Sequence, residues 1–296
     1  MRVGFIGLGA MGLPMAKNVL AAGYELMTTF HRRRDPAEKL VGLGALLASD
    51  YVEIARWADV VITVLPADAQ LREVVMGKQG LVQGFTPGKV LIDMTTATPT
   101  AMLEVEAAVS LQGAEVLDAP VSGGTTAAAD GTLTIMVGGD KDLLGQYRSL
   151  LETMGKNIVH VGSVGQGKVV KMVNQAMAGI HLLAMAEAFS LGVRCGADPK
   201  VLYDVIKASS GYSRQMDLRL PGFLLEGKFE PGFKLDLMKK DINLAIDSAQ
   251  ALDMPLFLTS MAAQVFAAAS TAGLGELDFA AAAQFLVDTA RAKLHP

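Results

Sequence analysis

Cysteine is almost missing from this sequence. The single Cys195 among 296 residues excludes an intrachain disulfide and fits a reducing cytoplasm. No His, Cys, Asp or Glu group has metal-ligand spacing, so the chemistry is expected to need no metal. Basic residues are not in excess. Lys and Arg number 26 against 30 Asp and Glu, a formal charge of −4, which argues against nucleic acid as the main partner. An uninterrupted apolar run of about 18 residues is also lacking, since residues 176–186 contain His181 and end at Glu187. The apolar opening at residues 3–6 is broken by Gly4, Gly7, Gly9, Gly12 and Pro14 and reads as strand and turn, not as a targeting segment. The expectation is a soluble chain with no membrane partner.

Charge itself is sparse. Only 19% of residues are charged and 51% are hydrophobic, with a mean hydropathy of +0.36. That is high for a soluble monomer, so apolar surface is expected to be shared in a homodimer or homotetramer. The length suits two domains.

What is present begins with glycine. Residues 3–6 read as a buried strand, and Gly7-Leu8-Gly9-Ala10-Met11-Gly12 follows at once, before a helix from Pro14 to Ala22 that Gly23 ends. Glycines in that place permit a tight turn and let backbone approach a pyrophosphate at a helix N-terminus. After the next strand, residues 25–30, the position where a carboxylate would hold an NAD ribose is His31, followed by Arg32, Arg33 and Arg34. No carboxylate comes until Asp35. This favours NADP, with a 2′-phosphate met by guanidinium groups, over NAD; the plainer reading is a solvated loop. Two later strands, residues 60–65 and 90–94, end in loops with Leu65-Pro66 and Thr95-Thr96, at the strand ends where such sheets bind ligands.

A second glycine-rich turn, Leu117-Asp118-Ala119-Pro120-Val121-Ser122-Gly123-Gly124, offers one hydroxyl beside two glycine amides, a nest suited to a carboxylate. A plain hairpin turn is the alternative. An alternating strand lies between Gly131 and Gly139. Then comes Gly165-Gln166-Gly167-Lys168-Val169-Val170-Lys171-Met172-Val173-Asn174-Gln175, opening a long Ala/Met/Leu helix. With so little polar face, this helix is expected to be buried on nearly every side. At its period, Lys171, Asn174, Gln175, Ala178, Leu182 and Met185 share one stripe. A lysine there is costly unless paired or used, and Lys171 is read as used. Lys168, one turn earlier, is expected to reach solvent.

With residues 7–12, 118–124, 131–139 and 165–175 in this order, the chain resembles the β-hydroxyacid dehydrogenase family over essentially its whole length. The resemblance implies a Rossmann-type α/β domain, doubly wound with a mostly parallel sheet, over residues 1–163, then an all-α domain over 164–296, joined by the long helix. It implies oxidoreduction of a small carboxylate-bearing aldehyde or 3-hydroxy acid with NADPH or NADH. Lys171 would be the catalytic acid/base, and Ser122, Gly123, Gly124, Asn174 and Gln175 would hold substrate. The amide four beyond the lysine is here Gln175, a pair with Asn174 that tartronate semialdehyde reductases also resemble. Residues 7–12, His31, Arg32, Arg33, Leu65, Pro66, Thr95, Thr96, Phe233 and Lys240 are the cofactor-binding candidates.

In the helical half, Asp198-Pro199 reads as a helix start, Pro221 and Gly222 as a break, Pro255 as another start and Asp278 as the cap of the last helix. On the helix from Lys234 to Leu252, Lys239, Asn243, Asp247 and Gln250 share a solvated stripe, whereas Met238, Ile242, Ala245, Ala249 and Leu252 form the buried face. Lys240 falls on the boundary. Tyr212 and Arg214 could meet the distal end of a substrate. Competing readings are an NAD-dependent 3-hydroxyisobutyrate dehydrogenase, a non-catalytic NADP-binding regulatory module and an imine reductase; the last two have no use for the lysine and its amide stripe.

Overall fold

The computed structural model describes residues 1–295 and divides the chain into two compact units, Met1–Lys171 and Met172–Pro296. The first holds a nine-stranded sheet. Its strands are β1 (Arg2–Ile6), β2 (Glu25–Thr28), β3 (Leu46–Leu47), β4 (Val60–Thr63), β5 (Val90–Asp93), β6 (Glu115–Asp118), β7 (Val121–Ser122), β8 (Leu133–Gly138) and β9 (Gly155–Gly162). They run in the order β3-β2-β1-β4-β5-β6-β8-β7, with β9 paired to β8. Pairing from β3 through β6 is parallel, and β8 meets β6 and β7 antiparallel.

Alternation along the strands feeds two cores. Val3, Phe5, Val60 and Ile62 pack into one, while Ile6, Val61 and Leu91 pack into the other. Both faces of the parallel strands are thus covered, which is why these segments read as continuous apolar runs. The fold is the doubly wound one expected. Strand order reverses direction between β1 and β4, and the first glycine turn leaves the sheet there.

Two elements differ from expectation. The second glycine-rich stretch, expected as a turn with the plain hairpin as its alternative, is a short strand followed by the helix Gly124–Asp130. The strand β9, paired to β8, is not among the strands the sequence pattern predicts; apart from Gly155 its residues are half-buried or exposed.

The second unit is helical. Its helices are the continuation of Gln166–Arg194, then Pro199–Lys207, Arg214–Arg219, a wide turn Leu220–Leu224 containing Pro221, Leu235–Gln250, Phe257–Ala269 and Ala281–Thr289. Asp198 caps its helix as expected, its Oδ1 accepting from the Lys200 and Val201 amides at 2.8 and 3.1 Å. Leu182, Phe189, Met238, Ile242 and Phe266 anchor one core. Gln166–Arg194 and Phe257–Leu274 have the length and hydropathy of membrane-crossing helices, and both contribute side chains to that core.

Three expectations fail here. Asp278 does not cap the last helix, which starts at Ala281; its carboxylate instead gathers the amides of Gly232, Phe233 and Ala280 and pairs with Arg219 at 3.2 Å. Leu252 lies beyond its helix and is exposed, because the helix ends at Gln250. The long helix is not enclosed on every side: Val173, Met177 and Leu191 are more than half exposed.

Candidate functional site

The glycines of the first turn divide by what surrounds them. A side chain at Gly7 would meet the Val64 carbonyl oxygen at 2.1 Å, and one at Gly12 would meet the Gly7 carbonyl oxygen at 1.8 Å. Gly7 also has φ +101°, a conformation L side chains rarely adopt. These two close the turn on itself. Gly9 has nothing within 4 Å, and Gly9 and Ala10 are exposed at the turn tip ahead of the helix Gly12–Ala21, with Leu8 and Met11 half-buried. The turn therefore presents open backbone on one side only, which fits a dinucleotide pyrophosphate.

Register lines up the ends of the neighbouring strands. Ile6, Thr63, Asp93, Asp118 and Gly138 are partners across five adjacent strands. Three polar side chains thus form one row at the carboxyl end of the sheet, all fully buried. Burial raises the Asp118 carboxyl above its ordinary value, opposed by the Lys168 charge and by two backbone amides. Those amides are Gly165 on Oδ1 at 3.0 Å and Lys168 on Oδ2 at 2.9 Å. Glycine makes room for this aspartate: a side chain at Gly138 would sit 2.2 Å from Oδ1, and one at Gly167 would sit 2.6 Å from Oδ2. Part of the glycine content of residues 131–167 thus serves a buried carboxylate rather than a ligand.

Lys168 corrects the sequence reading. It is fully enclosed, not solvent-reaching, and its Nζ lies 2.6 Å from Asp93 Oδ2. Periodicity could not show this, because the partner is 75 residues away. Lys171 is 6% exposed on the next turn of the helix. Thr95 is buried, with its hydroxyl donating to Asp93 Oδ1 at 2.7 Å and accepting from the Leu65 amide at 3.0 Å. Thr96, next in sequence, and Leu65 are half-buried, and Pro66 is exposed.

At the second turn, Gly123 and Gly124 both have positive φ, +140° and +71°, in the step from β7 into the helix Gly124–Asp130. A side chain at Gly123 would strike Ala127 Cβ at 2.6 Å. The Ser122 hydroxyl makes no hydrogen bond to the chain among the described residues and is half-exposed. Asn18, which no sequence signal marked, ties this helix to the first one by donating to the Ala128 carbonyl at 3.0 Å.

After β2, His31 and Arg32 to Arg34 are all exposed. Arg33 forks onto Asp35 at 3.2 and 2.9 Å, and the hydrogen bond with the facing charge raises the guanidinium pKa and lowers that of the carboxyl. Arg34 pairs with Glu38 and stacks on Phe30. Arg32 makes no ion pair among the described residues.

In the second unit, a polar chain runs from Asn174 through Gln175 to Asp241 and Lys240. Asn174 donates to Gln175 Oε1 at 3.1 Å, Gln175 Nε2 to Asp241 Oδ2 at 2.7 Å, and Lys240 Nζ lies 2.8 Å from Asp241 Oδ1. Gln175 and Asp241 are buried, Lys240 is a quarter exposed, and Asn174 is exposed. Lys239 instead joins Asp236 and Ser270. Phe233 packs edge-on against Phe279, 6.0 Å between centroids. The Tyr212 hydroxyl is bonded to Asp217 at 2.8 Å, and Arg214 begins the helix Arg214–Arg219.

A doubly wound sheet with this turn at its switch point defines a nicotinamide-dinucleotide-binding protein. Residues 2–162 match the NAD binding domain of 6-phosphogluconate dehydrogenase, and residues 165–286 match the NAD-binding domain of NADP-dependent 3-hydroxyisobutyrate dehydrogenase. The chain is 37% identical over 280 residues to 2-(hydroxymethyl)glutarate dehydrogenase of Eubacterium barkeri, covering 95% of this chain and 93% of that one. It is 38% identical over 284 residues to an NAD-dependent L-serine dehydrogenase of Pseudomonas aeruginosa, covering 94% and 95%. The structure of Mycobacterium tuberculosis 3-hydroxyisobutyrate dehydrogenase with L-serine superposes with a TM-score of 0.89 at 34% identity, covering 96% and 98%. The chain belongs to the β-hydroxyacid dehydrogenase family.

Proposed function

We propose that the protein interconverts a small 3-hydroxy acid and its semialdehyde with a nicotinamide cofactor, acting as an NADPH-dependent reductase with Lys171 as proton donor. Tartronate or succinic semialdehyde, glyoxylate and hydroxymethylglutarate-type compounds are the substrate class. The observation that carries this reading is the near-complete burial of Lys171, on the turn of the helix Gln166–Arg194 that follows the buried Lys168. A buried ammonium on a mostly apolar helix is costly unless it is paired or used.

Residues 7–12 would hold the pyrophosphate, Leu65, Pro66, Thr95 and Thr96 the nicotinamide side, and Phe233 and Lys240 further parts of the cofactor. The cofactor supplies hydride. Lys171 gives a proton to the nascent alkoxide and stabilises its charge, an effect typically worth about 10²–10⁴ in rate. The unpartnered Ser122 hydroxyl and the Gly123 and Gly124 amides suit a substrate carboxylate. Gln175, one turn past Lys171 and held by Asp241, orients the carbonyl or the amine. Arg32 supports NADP, since its guanidinium lacks an internal carboxylate. The exposed apolar side chains of Val173, Met177, Phe257 and Met261 support a homo-oligomer.

One observation favours a second reading with NAD. Arg33 and Arg34 are neutralised by Asp35 and Glu38, which weakens the anion site. Steady-state kinetics with NADPH, NADH and a semialdehyde panel decide between the two. In that assay Lys171→Ala is expected to keep cofactor affinity and lose at least about 100-fold in kcat; an unchanged kcat removes the proton-donor role.

A further inference from the structure

Lys168 is buried as deeply as any residue in the molecule, yet the reaction above gives it nothing to do. Its ammonium has three acceptors: Asp93 Oδ2 at 2.6 Å, the Asp93 carbonyl at 2.9 Å and the Thr95 carbonyl at 2.9 Å. That saturates its donors, so it holds no proton in reserve for a substrate. The opposite oxygen of Asp93 accepts from the hydroxyls of Thr63 at 2.6 Å and Thr95 at 2.7 Å. Thr95 in turn takes the Leu65 amide. On the helix side, Asp118 takes the amides of Gly165 and Lys168.

These bonds join the ends of β4, β5 and β6 to the first turn of the helix Gln166–Arg194. Lys171 stands one turn further along that helix, and Thr95-Thr96 lies in the loop that Lys168 grips. An apolar filling would hold such a turn about as stably as a buried ion pair does. What the saturated ammonium adds is direction, because three fixed acceptors allow one placement of loop against helix.

We propose that Lys168 is a positioning residue: with Asp93 it clamps the Thr95-Thr96 loop to the helical turn bearing Lys171, so that cofactor-side loop and proton donor keep one alignment. The proposal rests on the reading of Lys171 as proton donor. Its effect belongs in the hydride-transfer rate, since a misplacement of about 1 Å can cost roughly 100-fold.

The test uses Lys168→Met and the double variant Lys168→Met/Asp93→Asn, which removes both charges at similar volume. Folding is checked by circular dichroism and by the fluorescence of Trp57. In the folded variants, single-turnover oxidation of NADPH should slow by about 10–100-fold with the KM for semialdehyde within about threefold. The deuterium isotope effect on kcat with C4-deuterated NADPH should rise. A single-turnover rate within twofold of the unmodified protein overturns the clamp and leaves Lys168 a structural residue.

Hydrogen exchange on the unmodified protein gives a readout free of catalysis and of variant folding. Adding NADPH should protect residues 94–98 and 165–171 together; protection of 94–98 alone overturns the proposal. If Lys171→Ala turns over normally, the proton-donor reading falls, and the exchange result still decides whether loop and helix move as one.

Discussion

Two clusters of charge in the first unit behave in opposite ways. At the sheet's carboxyl end, Lys168, Asp93 and Asp118 are enclosed, and their hydrogen bonds come from strands and a helix far apart in sequence. In the loop after β2, Arg33 and Arg34 are exposed and find partners two and four residues away. The first cluster is costly and directional; the second is screened and easily rearranged. Buried charge therefore ties the first turn of the helix Gln166–Arg194 to the sheet, whereas surface charge is left open to rearrangement.

The hardest way to break that contrast is Asp93→Ala. It leaves the Lys168 ammonium enclosed without its carboxylate, and about 3–5 kcal/mol of stability should disappear. Urea unfolding followed by Trp57, the one tryptophan and a residue of this unit, measures it. Removing Glu38 from the surface cluster should cost less than about 1 kcal/mol in the same experiment. Equal losses would erase the distinction.

The glycines sharpen it further. Gly138→Ala forces a methyl to within 2.6 Å of the Ser163 carbonyl oxygen as well as onto Asp118, so roughly 1–3 kcal/mol should be lost to overpacking. Gly9→Ala meets nothing. It should leave the melting temperature almost unchanged while weakening NADPH binding, read by fluorescence titration. A destabilised Gly9→Ala with normal affinity would deny that turn its role as a cradle.

Among the arginines the effect is smaller. Arg32→Ala should lower the NADPH-over-NADH preference in kcat/KM by about 10-fold or more, the value of a hydrogen bond to a charged group. Arg33→Ala should change it less, because its fork is already occupied by Asp35. The reverse order would move the phosphate contact to Arg33.

Much of this was legible in sequence because the signals are local. The first glycine turn, the parallel apolar strands, the Asp198 cap and the half-buried place of Lys240 all follow from patterns a few residues long. What was illegible depends on distant partners. Lys168 and Lys171 differ by one turn, and periodicity assigned Lys168 to solvent; only its distant partner Asp93 shows that it too lies in the interior. Asp278 looked like a helix cap from its neighbours but serves the loop at Gly232 and Phe233. The helix Gly124–Asp130 hid behind its glycines, whose positive φ values set up the step from strand to helix.

The same contrast between fixed and screened charge extends to the second unit, where Asp217 is a surface carboxylate with unusually many partners. Its oxygens accept from the hydroxyls of Tyr203 and Tyr212, each at 2.8 Å, and Lys207 stands 3.6 Å away. The Tyr203 bond first, then the Tyr212 bond, hold its pKa below the ordinary value. A carboxyl depressed in the folded state contributes stability above its unfolded pKa of about 3.9, and that contribution is lost as pH falls through the folded value. Melting temperature should therefore drop more steeply between about pH 5 and pH 3 for the unmodified protein than for Asp217→Asn, whose side chain cannot titrate. The difference is the smallest expected here, because the group is exposed and screened. Identical slopes would show that the tyrosine bonds do not persist in solution, leaving the Tyr212 hydroxyl available to the distal end of a substrate.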